Sequence, residues 1–220
     1  MSWRFITCTA LFVTCLLTAN VTASKLVTAG SLTLTAGIVI FPISYILGDV
    51  LTEVWGYAAT RKVIWLGFAC NVLMVAAIWA GGALPPAPFW KGQAAYEEIL
   101  GQAPRILAAS FVAYLIGEFA NAYVLARLKI ATSGRWLWVR TIGSTVVGEG
   151  LDSLVFVALA FAGTVTSGTL IVIFVNQWLV KVVYEAAATP LTYLAVGWLK
   201  ARERIDTYDV HTDFNPLRLS

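Results

Sequence analysis

The chain has 220 residues, of which 59% are hydrophobic and 12% charged, and its mean hydropathy is +0.79. Soluble domains carry roughly 25% charged residues, and one core of this length cannot hide the apolar excess, so much of the surface must face hydrocarbon. A net charge of +3, with lysines and arginines scattered along the chain, excludes nucleic acid as a partner.

Six apolar segments follow in chain order, which predicts an all-α, polytopic membrane protein with six transmembrane helices. The first, Arg4–Ser24, begins like a secretory signal and ends in small residues, Val21-Thr22-Ala23-Ser24. Its apolar run from Phe5 to Ala23 is near spanning length, however, and carries Asn20 and four threonines (Thr7, Thr9, Thr14, Thr18). We read it as the first membrane helix. The second, Leu34–Tyr57, holds Gly37, Pro42 and Gly48, which predicts a broken or bent helix of the kind that lines cavities. Val63–Ala83 is the third, and a loop from Leu84 to Pro104 places Phe89 and Trp90 at the lipid–water interface.

Arg105–Leu128 and Thr141–Gly163 are the fourth and fifth segments. The last, Gly168–Leu199, exceeds the ~20 residues of one span, so it tilts, kinks near Pro190 or extends beyond the bilayer. Residues 1–199 thus form the transmembrane domain, and residues 200–220 read as a polar cytoplasmic tail with little structure of its own. Cys8, Cys15 and Cys70 all lie in apolar runs, and the single histidine, His211, lies in the tail. No metal site, disulfide framework or cofactor is expected.

Basic residues gather at alternate segment ends. Arg4, Arg61, Lys62, Arg127, Lys129, Arg135, Arg140, Lys200, Arg202, Arg204 and Arg218 fall on one side, and only Lys25, Lys91 and Arg105 on the other. The positive-inside rule then places both termini in the cytoplasm, which requires an even number of spans.

Seven ionisable residues lie inside the apolar segments: Asp49, Glu53, Glu118, Glu149, Asp152, Lys181 and Glu185. Each costs roughly 2.5–3.5 kcal/mol at a helix centre unless it meets a partner or water. Asp49/Glu53 and Lys181/Glu185 are four apart and Glu149/Asp152 three apart, so each pair shares a helix face. Some have ordinary explanations. Lys181–Glu185 reads equally as an intrahelical ion pair, Glu118 as a partner of Asn121, and Glu53 as solvated near a cytoplasmic end. Asp49, Glu149 and Asp152 sit among glycines that permit close approach. Acids outnumber the lysine six to one, so the interior suits a cation or a ligand rich in N–H donors. Trp55, Tyr57, Tyr123, Trp178 and Tyr184 lie near these acids in sequence, either packed against lipid or available to stack on a planar ring.

Three blocks carry a family resemblance. The first is Phe41-Pro42-Ile43-Ser44-Tyr45 with Gly48-Asp49-Val50-Leu51-Thr52-Glu53-Val54-Trp55-Gly56-Tyr57 and Arg61-Lys62. The second is Arg140-Thr141-Ile142-Gly143-Ser144-Thr145, Gly148-Glu149-Gly150 and Asp152-Ser153. Asn176, Lys181, Tyr184-Glu185 and Thr189-Pro190 form the third. Together they resemble the queuosine precursor transporter family over nearly the whole chain, with one departure at Trp55, where the pattern has Tyr. The resemblance implies import of 7-cyano-7-deazaguanine, 7-aminomethyl-7-deazaguanine or related 7-deazapurine bases through a bacterial inner membrane. It also implies a fold similar to the substrate-binding subunits of energy-coupling-factor transporters, without their ATPase module.

The expected substrate-binding residues are Asp49, Glu118, Glu149, Asp152 and Asn176, with Trp55 and Tyr184 flanking the ring. Lys181 and Glu185 are expected as a switchable or structural ion pair, or as a proton site. The expected partners are the small base and the lipid bilayer, with a second copy of the chain a candidate for a homodimer. A competing reading is a binding subunit of an ATP-driven complex, for which Ala19/Ala23 offer a small-residue helix contact. An intramembrane enzyme is disfavoured, because no G-x-S-x-G, Ser/His arrangement or metal-ligand set is visible, and no catalytic residue is assigned.

Overall fold

The computed structural model describes residues 2–29, 32–101, 104–164 and 166–218. Helix α1 (Trp3–Thr22) starts under the Ser2 hydroxyl, which accepts from the Phe5 N–H at 3.2 Å. Its buried residues, Phe5, Cys8, Phe12, Cys15, Leu16 and Ala19, recur every three or four positions, as a helix with one apolar stripe inside requires. A short antiparallel hairpin follows, β1 (Leu26–Ala29) on β2 (Leu32–Thr35), with Leu26 opposite Thr35. The fold is helical as expected, and this hairpin is a local addition to it among the described residues. β-Branched Val27, Thr28, Thr33 and Thr35 favour extended backbone over helix.

The second expected span breaks where the glycine and proline placed it. A 3-10 turn, Ala36–Val39, leads into α2 (Phe41–Trp55), which takes Pro42 in its first turn, where a missing N–H costs nothing. Gly37 is pressed onto α1, since a Cβ there would lie 2.7 Å from the Ala19 carbonyl oxygen. With 15 residues, α2 is about 22 Å long, shorter than the ~30 Å hydrocarbon layer. Gly56, at φ +83°, is the whole connection to α3 (Tyr57–Ala83). A short helix absent from the sequence reading, α4 (Gln93–Leu100), is tied to α3 by the Tyr96 hydroxyl donating to the Ile78 carbonyl at 2.8 Å.

Helices α5 (Pro104–Ala131), α6 (Leu137–Phe161) and α7 (Ser167–Glu203) complete the bundle. Five of the helices described (α1, α3, α5, α6 and α7) are long and apolar enough to cross a bilayer. α7 runs unbroken through Pro190 for 37 residues, about 55 Å, so it extends past a single span.

Contacts between helix ends give the direction of each pass. Arg4 at the start of α1 pairs with Glu203 at the end of α7 at 2.9 Å, and Arg140 at the start of α6 meets Glu53 at the end of α2. Lys129, at the end of α5, reaches the same Glu53. The chain therefore runs alternately up and down through α1, α2, α3, α5, α6 and α7, and both termini lie at one cation-rich end. At the opposite end Arg105 donates to the Leu159 and Ala162 carbonyls at 2.7 and 2.6 Å, closing the last turn of α6.

Glu53 is not solvated at its helix end, contrary to the sequence reading. It is wholly buried, and its oxygens accept from Arg140 Nη2 at 2.9 Å, Arg140 Nε at 3.1 Å and Lys200 Nζ at 2.6 Å. Lys129 Nζ lies 3.5 Å away and donates to the Glu53 backbone carbonyl. One acid thus ties α2, α5, α6 and α7 together.

The tail is likewise held, although it has almost no regular structure. Asp209 is buried and accepts from the Tyr57 N–H at 2.9 Å, satisfying an orphan donor at the start of α3. Arg61 donates to the Asp213 and Asn215 carbonyls, Trp65 to that of Pro216, and the Tyr57 hydroxyl to that of Phe214. Asp206 joins Lys129 and Lys200 at 2.5 and 2.8 Å. Partial burial alone raises the Asp206 carboxyl, but hydrogen bonds and charge from the two ammonium groups outweigh it and hold the group below its ordinary value.

Two outcomes follow from these contacts. Glu53→Ala, which leaves three cations facing one another, should lower stability by roughly 3–5 kcal/mol, read as a lower melting temperature in detergent. Because the folded Asp206 pKa is depressed, its contribution is fully present above the ordinary Asp value of about 3.9 and disappears as pH falls through the folded value. Tail release, followed by limited proteolysis between pH 7 and 3, should therefore show an acid-side component that Asp206→Asn removes.

Candidate functional site

Four helices bring chemistry to one place near the middle of the bundle. Phe41, Tyr45 and Asp49 recur every four residues on α2 and share its inward face. Thr145, Glu149 and Ser153 do the same on α6, with Glu149 at the midpoint of Leu137–Phe161. α7 adds Lys181, Tyr184 and Glu185, and α5 adds Glu118 and Asn121. A cleft of about 230 Å³ is lined by Phe41, Pro42, Tyr45, Thr145, Glu149, Lys181, Tyr184 and Glu185. A larger cleft of about 500 Å³ lies elsewhere, between α1, α3, α4 and α5, and is mostly apolar.

The smaller cleft is rich in acceptors. Lys181 Nζ lies 2.6 Å from Glu149 Oε2 and 2.6 Å from Asp152 Oδ2, and 4.8 Å from the centre of the Phe41 ring. Tyr45 is buried with its hydroxyl against Glu149. Asp49 Oδ1 accepts from Asn121 Nδ2 at 2.7 Å. Among the described residues, several buried atoms nonetheless have no hydrogen-bond partner: Asp49 Oδ2, Asn121 Oδ1, Thr145 Oγ1, Glu149 Oε1, Ser153 Oγ and Glu185 Oε1. Buried polar groups are normally satisfied, so a cluster of unmatched acceptors calls for donors from a ligand.

The residues singled out in the sequence separate into groups. Glu149, Tyr184, Lys181 and Glu185 line the cleft, and Asp152 adjoins it through Lys181. Asp49 and Glu118 are buried behind it, at 1% and 2% exposure, with Glu118 lying over Gly48. Trp55 packs instead on Phe5, ring centres 5.3 Å apart, near the cation-rich end. Asn176 is exposed on α7 and is not among the lining residues. Lys181 pairs across to α6 and not with Glu185 on its own helix, and Asn121 bonds Asp49 and not Glu118. Trp178 stacks on Phe174 and donates to the Val146 carbonyl, while Tyr123 packs on Phe214 of the tail. The aromatic walls of the cleft are Phe41, Tyr45 and Tyr184. The signal for the first two was their four-residue spacing from Asp49.

Comparison with known proteins assigns the chain to a family. A model of the family described as "Putative vitamin uptake transporter" matches residues 35–195, a span that contains every lining residue of the cleft. A protein of Bacillus subtilis (strain 168) named "Probable queuosine precursor transporter" is 32% identical over 187 residues, covering 84% of this chain and 82% of that protein. The "Queuosine precursor transporter" of Escherichia coli (strain K12) is 29% identical over 121 residues, covering 55% and 52%. No solved structure matches the chain.

The site is held by the contact of α5 with α6. A Cβ on Gly148 would lie 2.6 Å from Asn121 Cβ and 3.0 Å from the Gly117 carbonyl oxygen, and one on Gly117 would lie 2.7 Å from Asp152 Cβ. Neither glycine can carry a side chain unless the helices part. Gly148→Val should therefore cost about 1–3 kcal/mol through overpacking and displace Asn121 from Asp49. Gly197→Ala, where a Cβ meets nothing within 4 Å, should melt at the native temperature or slightly above. Thermal melting in detergent compares the two.

Proposed function

The chain belongs to the vitamin uptake transporter family, and from that premise we propose that it imports queuosine precursors: 7-cyano-7-deazaguanine, 7-aminomethyl-7-deazaguanine or a related 7-deazapurine base. It does so as a stand-alone secondary carrier in the bacterial inner membrane, with the cation-rich end in the cytoplasm as the positive-inside rule requires. The observation that carries the reading is the set of unmatched buried acceptors around an aromatic-walled cleft. A guanine-like edge presents adjacent N–H donors, and a carboxylate accepts two of them side by side. Phe41, Tyr45 and Tyr184 supply faces for the flat ring.

Glu149 and Asp152 are the first contacts we assign to the base, with Asp49 and Glu118 behind them. The mid-bundle position agrees with the place of substrate sites in secondary carriers. The competing reading is a binding subunit driven by an ATPase, for which Ala19 and Ala23 could serve as a helix contact or pack within the chain. Ala19 and Ala23 lie against Gly37 of the same chain and are used in internal packing.

The test is uptake of labelled precursor by cells that cannot make it. Each hydrogen bond to a charged group is worth roughly 1.5–3 kcal/mol, so Glu149→Gln, Asp152→Asn and Asp49→Asn should each reduce uptake about tenfold or more. Uptake that survives all three substitutions refutes the assigned site. Transport that stops on ATP depletion with the proton gradient maintained refutes the stand-alone carrier.

A further inference from the structure

Lys181 occupies two carboxylates at once while a third stands close by. Its ammonium bridges Glu149 and Asp152 on α6. Glu185 is one turn further along its own helix, lines the same cleft, is 2% exposed, and keeps Oε1 without a hydrogen-bond partner among the described residues. A lysine is a point charge on a flexible four-carbon stem, and residues four apart on a helix are neighbours. Lys181 therefore has two seats, one taken and one open.

We propose that Lys181 is a resident counter-cation that a cationic cargo displaces. The protonated amine of the base takes its place on Glu149 and Asp152, and Lys181 moves onto Glu185. The inference rests on the cargo reading above and deepens it by naming the charge class that this site selects. Before the exchange one ammonium faces three carboxylates and Glu185 is unmatched. After it, two cations face the same three acids, and no buried ammonium is left unpaired, the situation that makes removing one partner of a buried pair so costly.

A neutral substituent leaves Lys181 where it is and gains no such pairing. The exchange also has a mechanical side. Lys181 joins α7 to α6 beside the Trp178–Val146 hydrogen bond of 3.0 Å, so its departure loosens that seam when cargo arrives.

The test uses two bases that differ in charge, 7-aminomethyl-7-deazaguanine (a protonated amine) and 7-cyano-7-deazaguanine (a neutral nitrile). Binding of each to the purified full-length protein is measured for the native chain, Lys181→Met, Lys181→Arg and Glu185→Gln. Charge-assisted hydrogen bonds are the strong ones, so Lys181→Met should shift the affinity ratio about tenfold toward the amine. Glu185→Gln should weaken the amine about tenfold and change the nitrile by less than about twofold. Lys181→Arg, which keeps the charge, should keep the native ratio.

If Lys181→Met does not fold, the near-isosteric Glu185→Gln carries the test alone. An amine-to-nitrile ratio unchanged in Lys181→Met and Glu185→Gln overturns the exchange and makes Lys181 a fixed ion pair, with the cargo reading intact. A native protein that binds neither base overturns both.

Discussion

Helices α5 and α6 meet backbone to backbone at Gly117 and Gly148, and the rest of the interior is arranged around that contact. With no Cβ at either position, Asn121 sits directly over Gly148 and Asp152 directly against Gly117. Asn121 in turn holds Asp49 of α2, and Asp152 shares Lys181 of α7 with Glu149. Two glycines thus set the relative positions of side chains from four helices. Small residues at a helix crossing bring backbones close in membranes because dispersion and polar contacts replace the hydrophobic drive available in water.

The buried acids divide by the company they keep. Glu53 and Asp49 are one helical turn apart on α2, yet their surroundings are opposite. Glu53 has two cations in hydrogen-bond contact and a third nearby, and it joins the helix ends. Asp49 has one amide and an unmatched oxygen. The first pattern saturates a charge and fixes structure; the second leaves valence for something that arrives. A carboxylate's role here is a matter of how many donors surround it, and that count changes within about 6 Å along one helix.

Apolar length and the spacing of charges made much of this legible. The six segments follow from apolar length, the break before Pro42 from its glycine and proline, the shared faces of Glu149/Asp152 from helical spacing, and the gathering of cations at alternate ends from the placing of Lys and Arg. Pairing across helices did not follow. Spacing alone favours Lys181 with Glu185, because both lie on one face of α7, but the rotation of α7 against α6 brings Glu149 and Asp152 nearer. Trp55 stands two residues from Glu53 in sequence and faces α1 in space, because two positions on a helix lie on nearly opposite sides. The tail was the least legible part. Its ties are hydrogen bonds from Tyr57, Arg61 and Trp65 to backbone carbonyls or to Asp209, and ion pairs of Asp206 with Lys129 and Lys200, which leave no repeating pattern in a sequence.

The Glu53 junction also sets an order of assembly. The partners of this acid lie 76, 87 and 147 residues further along the chain, so α2 enters the bilayer long before Lys200 has been synthesised. Until α5 and α6 bring Lys129 and Arg140 to it, its carboxylate must stay hydrated at the membrane surface, because an unpaired charge in hydrocarbon is costly. The Asp209 cap on α3 is later still, since it lies 152 residues after the amide it satisfies. Closure of the cation-rich end is therefore completed only after α7 has been made, and a ribosome stalled within α7 would hold a bundle whose first acid has not yet met its last base.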